Sequence, residues 1–175
     1  HVPLDDLLNA AIKRVFDICF SLAVLVVLSP LFLVLAVLVR TTSKGPAIFA
    51  QERLGKNRRT FKMYKFRTMH QTVSKQTGDQ VWTTENDPRR TSVGSFLRRT
   101  SLDEMPQFWN VLIGDMSVIG PRPERPYFVD IFKTEIPKYM IKHRVRPGIT
   151  GWAQVKGWRG NTDIEERIRC DIEYI

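Results

Sequence analysis

Residues 15–39 are apolar with one interruption, Asp17, and such a run is long enough to cross a bilayer. It has no polar face, which a helix in a soluble core would normally show. Its length and the lack of a small-residue cleavage site after it argue against a secretory signal. Ser29-Pro30 falls near the middle, where the proline removes a backbone donor and predicts a kink. Lys13 and Arg14 precede the run and Arg40 and Lys44 follow it, so flanking charge gives no orientation. Two arrangements satisfy the pattern. A kinked span stands first on the residues alone, because breaks facing lipid are penalised; the other is a re-entrant hairpin with its bend in the membrane. A short helix is expected ahead of the run, over residues 4–11.

Beyond the turn signal Ser43-Lys44-Gly45-Pro46, strands are expected at residues 47–51 and 61–67 around Gly55-Lys56-Asn57. They form a basic hairpin, with Arg53, Lys56, Arg58, Arg59, Lys62, Lys65 and Arg67 interleaved with Phe61, Tyr64 and Phe66. Residues 70–86 read as a polar loop, 86–90 as a turn, and 93–98 as a short helix. A further helix is expected from about Asp103, with Phe108, Trp109, Val111 and Leu112 on its apolar face and Gly114 as its stop. Residues 120–126 contain three prolines and must be extended, which holds Arg122 and Arg125 on a stiff frame. A helix bent near Pro137 is expected over residues 127–144. The turn-rich segment 147–160 follows, and Ile164, Ile168 and Ile172 mark a last amphipathic helix. The fold class is therefore α+β, mainly α, divided into a hairpin region at residues 1–44 and a second domain at 45–175.

Charge narrows the partners. The 175 residues carry 27 Lys and Arg against 18 Asp and Glu, a net +9 that suits an anionic partner: nucleic acid, a membrane surface or a phosphorylated small molecule. Two cysteines without ligand spacing support neither a disulfide framework nor a zinc site, and three scattered histidines support no triad. His143, between Lys142 and Arg144, is expected at the surface or beside phosphate. The chain opens at His1 and stops inside an amphipathic pattern, as a piece of a longer protein would.

The chemistry concentrates at Asp103-Glu104, directly after Arg98-Arg99. One reading is a helix start. Ser101 and Glu104 have capping-box spacing, or Asp103 is itself the N-cap, with Pro106 in the first turn. The other is a carboxylate set against bound phosphate, as nucleophile or metal ligand. Spacing favours the cap. A membrane-tethered basic module for nucleic acid or anionic lipid also fits the hairpin, but leaves Asp103-Glu104 and the proline-framed Arg122 without a role.

The ordered motifs change the weighting. Lys13-Arg14, Ser29-Pro30, Ser43-Lys44-Gly45-Pro46, Lys65-Phe66-Arg67-Thr68-Met69, Asn86-Asp87-Pro88-Arg89, Leu97 to Glu104, Gly120-Pro121-Arg122-Pro123 and Pro147-Gly148-Ile149-Thr150-Gly151 occur in sequence. Together they resemble the bacterial sugar transferases, the monotopic polyprenyl-phosphate phosphoglycosyl transferases. The stretch 158–163 is most similar to the longer, exopolysaccharide-initiating branch.

The resemblance implies transfer of a sugar-1-phosphate from a UDP-sugar, UDP-glucose or UDP-galactose first, to undecaprenyl phosphate. The setting it implies is the cytoplasmic face of the bacterial inner membrane. Asp103 is implied as nucleophile, Glu104 and Asp103 as ligands of Mg²⁺, and Lys65, Arg67, Arg98, Arg122, Gln154 and Arg159 as phosphate- or substrate-binding. Ser29 and Pro30 become the bend of a re-entrant hairpin. Nucleic acid is not expected as a partner, and a homo-oligomer is compatible with this reading. The polytopic phosphoglycosyl transferases need many spans, and one apolar run is present.

Overall fold

The computed structural model describes residues 7–70, 87–158, 160 and 162–175. The expected loop at 70–86 lies almost wholly outside them, as do Arg159 and the start of the helix expected at 4–11.

The apolar run forms two helices. α1 (Leu7–Val27) takes in the rest of the expected leading helix without a break, and α2 (Ser29–Thr42) follows at an angle of 64°. Leu28 lies at the bend and Pro30 in the first turn of α2, where a missing N–H costs nothing. The Ser29 hydroxyl donates to the Val26 carbonyl at 2.8 Å, occupying an acceptor at the end of α1. Among the described residues no single helix is long and apolar enough to cross a membrane; the bent pair together is. Val15, Leu22, Val26, Val27, Leu33, Val34 and Val37 are all exposed along it.

β1 (Ile48–Leu54) and β2 (Thr60–Phe66) pair antiparallel, each reaching further toward the turn than the sequence suggested. Side chains alternate across β2, so its two faces enter different cores. Met63 is buried with Val111 and Met116, whereas Phe66 is buried with Leu35, Val39 and Leu97. The second cluster joins α2 to β2 and to α3 (Ser92–Thr100), so packing continues across residue 44.

A 3₁₀ turn at Leu102–Glu104 leads to α4 (Gln107–Ile113), which ends at the left-handed Gly114 as expected. β3 (Ser117–Ile119) then pairs parallel with β4 (Gly148–Thr150). No local pattern signals this pairing, since three-residue strands carry too little alternation to read.

Residues 127–144 do not form one bent helix. α5 (Pro126–Glu135) stops before Pro137, which holds Ile136 extended, and Lys138 turns left-handed before a 3₁₀ segment at Tyr139–Arg144. His143 is therefore not at the surface. It is buried, with its ring 5.8 Å from that of Tyr139. α6 (Trp152–Val155) is a single turn, and α7 (Ile164–Tyr174) is capped by Asp163, which accepts from the Glu165 and Glu166 amides. Ile168 of α7 packs with Val129, Ile136 and Tyr139 in the third cluster.

Candidate active site

The Asp103-Glu104 pair caps no helix. Ser101, left-handed at φ 59°, ends α3, and its amide donates back to the Arg98 carbonyl. The next bonds, from the Glu104 amide to the Ser101 carbonyl and from Met105 to Leu102, have 3₁₀ spacing. Pro106 has no N–H to continue them, so α4 begins only after it. Neither expected register forms, since Ser101 and Pro106 together insert a tight turn between two helices. Phosphate here would meet charged side chains, not the amides of a helix end.

The partners of Glu104 follow from β2. Asn110 of α4 stitches to the β2 backbone, accepting from the Tyr64 amide at 3.0 Å and donating to the Lys62 carbonyl at 2.8 Å. Lys65 shares the face of Phe61 and Met63, which α4 and the 3₁₀ turn cover, so it is delivered to the dyad. Its Nζ donates to Glu104 Oε1 at 2.8 Å. The proline-framed segment brings Arg122 to the same oxygen at 2.7 Å. Burial alone would raise the Glu104 pKa, but Arg122 and Lys65 outweigh it and hold the carboxyl well below its ordinary range. Glu104 in turn raises Arg122, against burial. Burial dominates at Lys65 and brings it down to about 8 despite Glu104.

Asp103 has a different environment. It is buried, and among the described residues no group donates a hydrogen bond to its carboxylate. Burial raises its pKa, with the Glu104 charge adding to that, while Lys65, Arg98 and Arg122 oppose. Two adjacent carboxylates are thereby pushed apart: Glu104 is fixed as an anion, and Asp103 is kept weakly solvated and open.

Arg98 reaches the site from the last turn of α3. Its Nε donates to the Thr68 hydroxyl at 2.9 Å, and its charge acts on Asp103. Gly94 allows this approach, because a Cβ there would overlap the Thr68 backbone. Arg67 goes elsewhere. Its guanidinium donates to the carbonyls of Val39, Ser43 and Pro46 and to the Ser43 hydroxyl, tying the end of α2 to the strand. The resemblance assigned Arg67 to phosphate, and a continued pleat would put it on the face of Lys65; β2 ends at Phe66, and Arg67 leaves the pleat to be held by the end of α2. Gln154 lies on α6, with its side-chain oxygen buried and without a hydrogen-bond partner among the described residues.

Sequence reasoning passed over two residues. Gln107, one turn beyond Asp103, is 1% exposed, and its Nε2 has no partner among the described residues. Glu124, buried in the proline segment, accepts from Arg167 of α7 at 2.7 Å and so fixes the strand of chain that carries Arg122. A polar residue in the apolar face of α4 could have drawn attention to Gln107. Glu124 gave no local sign, because its partner is 43 residues away.

Among the described residues no three acidic, histidine or cysteine side chains gather into a metal cage. The residues that would hold a cation are the dyad itself. Two adjacent carboxylates fit a Mg²⁺ that keeps waters and substrate phosphates as its other ligands.

The chain is similar to proteins of known activity. The chain is 49% identical to the UDP-glucose:undecaprenyl-phosphate glucose-1-phosphate transferase of Klebsiella pneumoniae, over 99% of this chain and 38% of that protein. It is 49% identical to the UDP-N-acetylgalactosamine-undecaprenyl-phosphate N-acetylgalactosaminephosphotransferase of Aeromonas hydrophila, over 94% of this chain and 38% of that one. It is 42% identical to the exopolysaccharide production protein PSS of Rhizobium leguminosarum bv. phaseoli, over 96% of this chain and 87% of the relative. The chain thus spans little more than a third of the first two and most of the third. The family model for bacterial sugar transferase matches residues 8–175, and with the dyad, its cations and the bent apolar helices in place, the chain belongs to the bacterial sugar transferase family.

Proposed function

We propose that the protein transfers a sugar-1-phosphate from a UDP-sugar to undecaprenyl phosphate through a covalent intermediate on Asp103. One observation carries the reading: a buried Asp103 carboxylate, to which no group among the described residues donates a hydrogen bond, stands beside a Glu104 locked by Lys65 and Arg122. A carboxylate whose own hydrogen bonds are unmade keeps its lone pairs for attack.

Asp103 attacks the sugar-side phosphorus, the bond to the UMP oxygen breaks, and UMP leaves with the electron pair. A phosphate oxygen of the acceptor then attacks the same phosphorus, displaces Asp103 as carboxylate and forms the new diphosphate. Arg98, Arg122 and Lys65 lower the repulsion between the anionic nucleophile and the diphosphate. Mg²⁺ held by Asp103 and Glu104 would supply further charge neutralisation of the phosphates. Gln154 and Arg159 complete the substrate site in this reading.

The bent helices serve as a re-entrant hairpin in the bacterial inner membrane, with the dyad on the cytoplasmic face, where a lipid acceptor and a soluble donor meet at one depth. We place UDP-glucose first as donor and surface-glycan initiation as the role. The relatives' names divide between glucose and N-acetylgalactosamine, so a UDP-sugar panel scored by UMP release decides the sugar.

The covalent step is tested with Asp103→Asn. UMP release should fall by about 10³-fold or more, and the phosphosugar adduct that intact-mass measurement detects after donor alone should vanish. Residual transfer within tenfold of the parent, in a folded variant, overturns the assignment.

A further inference from the structure

A second concentration of charge lies away from the dyad, in a cleft between the first turns of α1 and the segment 145–146. Lys13, Arg14 and Asp17 of α1 line it, with Lys56 from the 3₁₀ turn of the hairpin, Arg146, and Tyr174 near the end of α7. Four cations face one carboxylate, and that carboxylate is already engaged. Asp17 is 2% exposed, accepts from the Val118 amide at 2.9 Å and the Ser117 hydroxyl at 3.1 Å, and lies 3.7 Å from Lys13.

Part of the positive charge has a structural use. Arg14 donates to the Val111 and Leu112 carbonyls at 2.6 and 2.9 Å, and Arg146 Nε donates to the Gly114 carbonyl at 2.9 Å, so both guanidinia cover the end of α4. Carbonyls return only partial negative charge, and the end of a helix amounts to about half an electron charge. The cleft therefore keeps a surplus of fixed positive charge on walls that are already ordered. Lys56, exposed on its turn, adds to it from a third element.

Position defines the ligand. The next residues of α1, Val15, Phe16 and Phe20, are exposed apolar side chains, so the cleft sits where the greasy helix meets the polar body of the protein. An anion at that level with an apolar tail alongside is a lipid headgroup. We propose that this cleft binds the phosphate of an anionic phospholipid, as a site separate from Asp103-Glu104. None of Lys65, Arg98 or Arg122 lines it.

The test uses the full chain purified in neutral detergent, with lipid adducts counted by native mass spectrometry and no reference to turnover. Phosphatidylglycerol should be retained in preference to phosphatidylcholine. Removing one charge with Lys56→Gln should weaken that retention about fivefold, and adding Arg146→Gln should weaken it by about the same factor again. Arg146→Gln also removes a helix-end bond, so Lys56→Gln, at an exposed position, is the decisive variant. Equal retention of the two lipids, full phosphatidylglycerol binding by Lys56→Gln, or binding of inorganic phosphate without phosphatidylglycerol would each overturn the proposal. A dead active site with intact lipid retention would speak against the transfer reading alone.

Discussion

At the scale of single residues, Lys65 and Asp103 set opposite pH limits. Lys65 is charged below about pH 8 and loses its proton above it, which weakens its hold on Glu104 and, in the proposed function, on donor phosphate. Turnover should therefore decline as pH rises through about 8, mainly through a higher KM for the UDP-sugar. Lys65→Arg, which stays charged, should shift that alkaline limb upward in pH–rate profiles. On the acid side Asp103 takes up a proton at a higher pH than an ordinary aspartate, so kcat should fall there first, while Glu104 stays ionised. The dyad, Arg98, Arg122 and Lys65 could all be named from their order in the chain. What the sequence withheld was direction. Arg67 is charged, close by in sequence and flanked by the same motif, yet it serves α2, because the strand ends at Phe66 and the carbonyls at the end of α2 capture the next side chain.

At the scale of elements, the helices readable from periodicity formed with small shifts at their ends, because apolar period and end signals are local. The turn carrying the dyad, the β3–β4 pair and the break before Pro137 were not legible in this way, since each depends on a backbone conformation or partner that no local pattern records. The same contrast governs the docking of α1. Its polar side chains Lys13, Arg14 and Asp17 face inward to β3 and α4, while its apolar ones face out. Removing the buried carboxylate with Asp17→Ala leaves the Val118 amide without its acceptor and Lys13 without its ion-pair partner. This should cost about 3 kcal/mol, read as a lower denaturation midpoint in detergent. An Asp17→Ala variant as stable as the parent would show that α1 docks by apolar contact alone.

For the whole molecule, stability should carry an acid-sensitive component. His143 is buried, which with the neighbouring Lys142 charge lowers its pKa to about 4, and its Nε2 has no partner among the described residues. The unfolded chain binds a proton there below about pH 6.5 while the folded chain resists until about 4, so stability should fall as pH drops through that interval. The contribution is up to about 3 kcal/mol, and His143→Gln should flatten the slope of unfolding free energy against pH. On a larger scale, the two legs of the apolar hairpin are anchored independently. Asp17 and Arg14 hold one leg to the body, and Arg67 grips the other at Val39 and Ser43. In the proposed membrane setting, the length of chain between these anchors would make the hairpin a ruler set against the bilayer. Adding one helical turn to each leg inside the anchors would lower the bend by about 5 Å and leave the dyad where it is. A lipid bilayer thinner than the ruler would then be met by dimpling of the lipid, not by movement of Asp103.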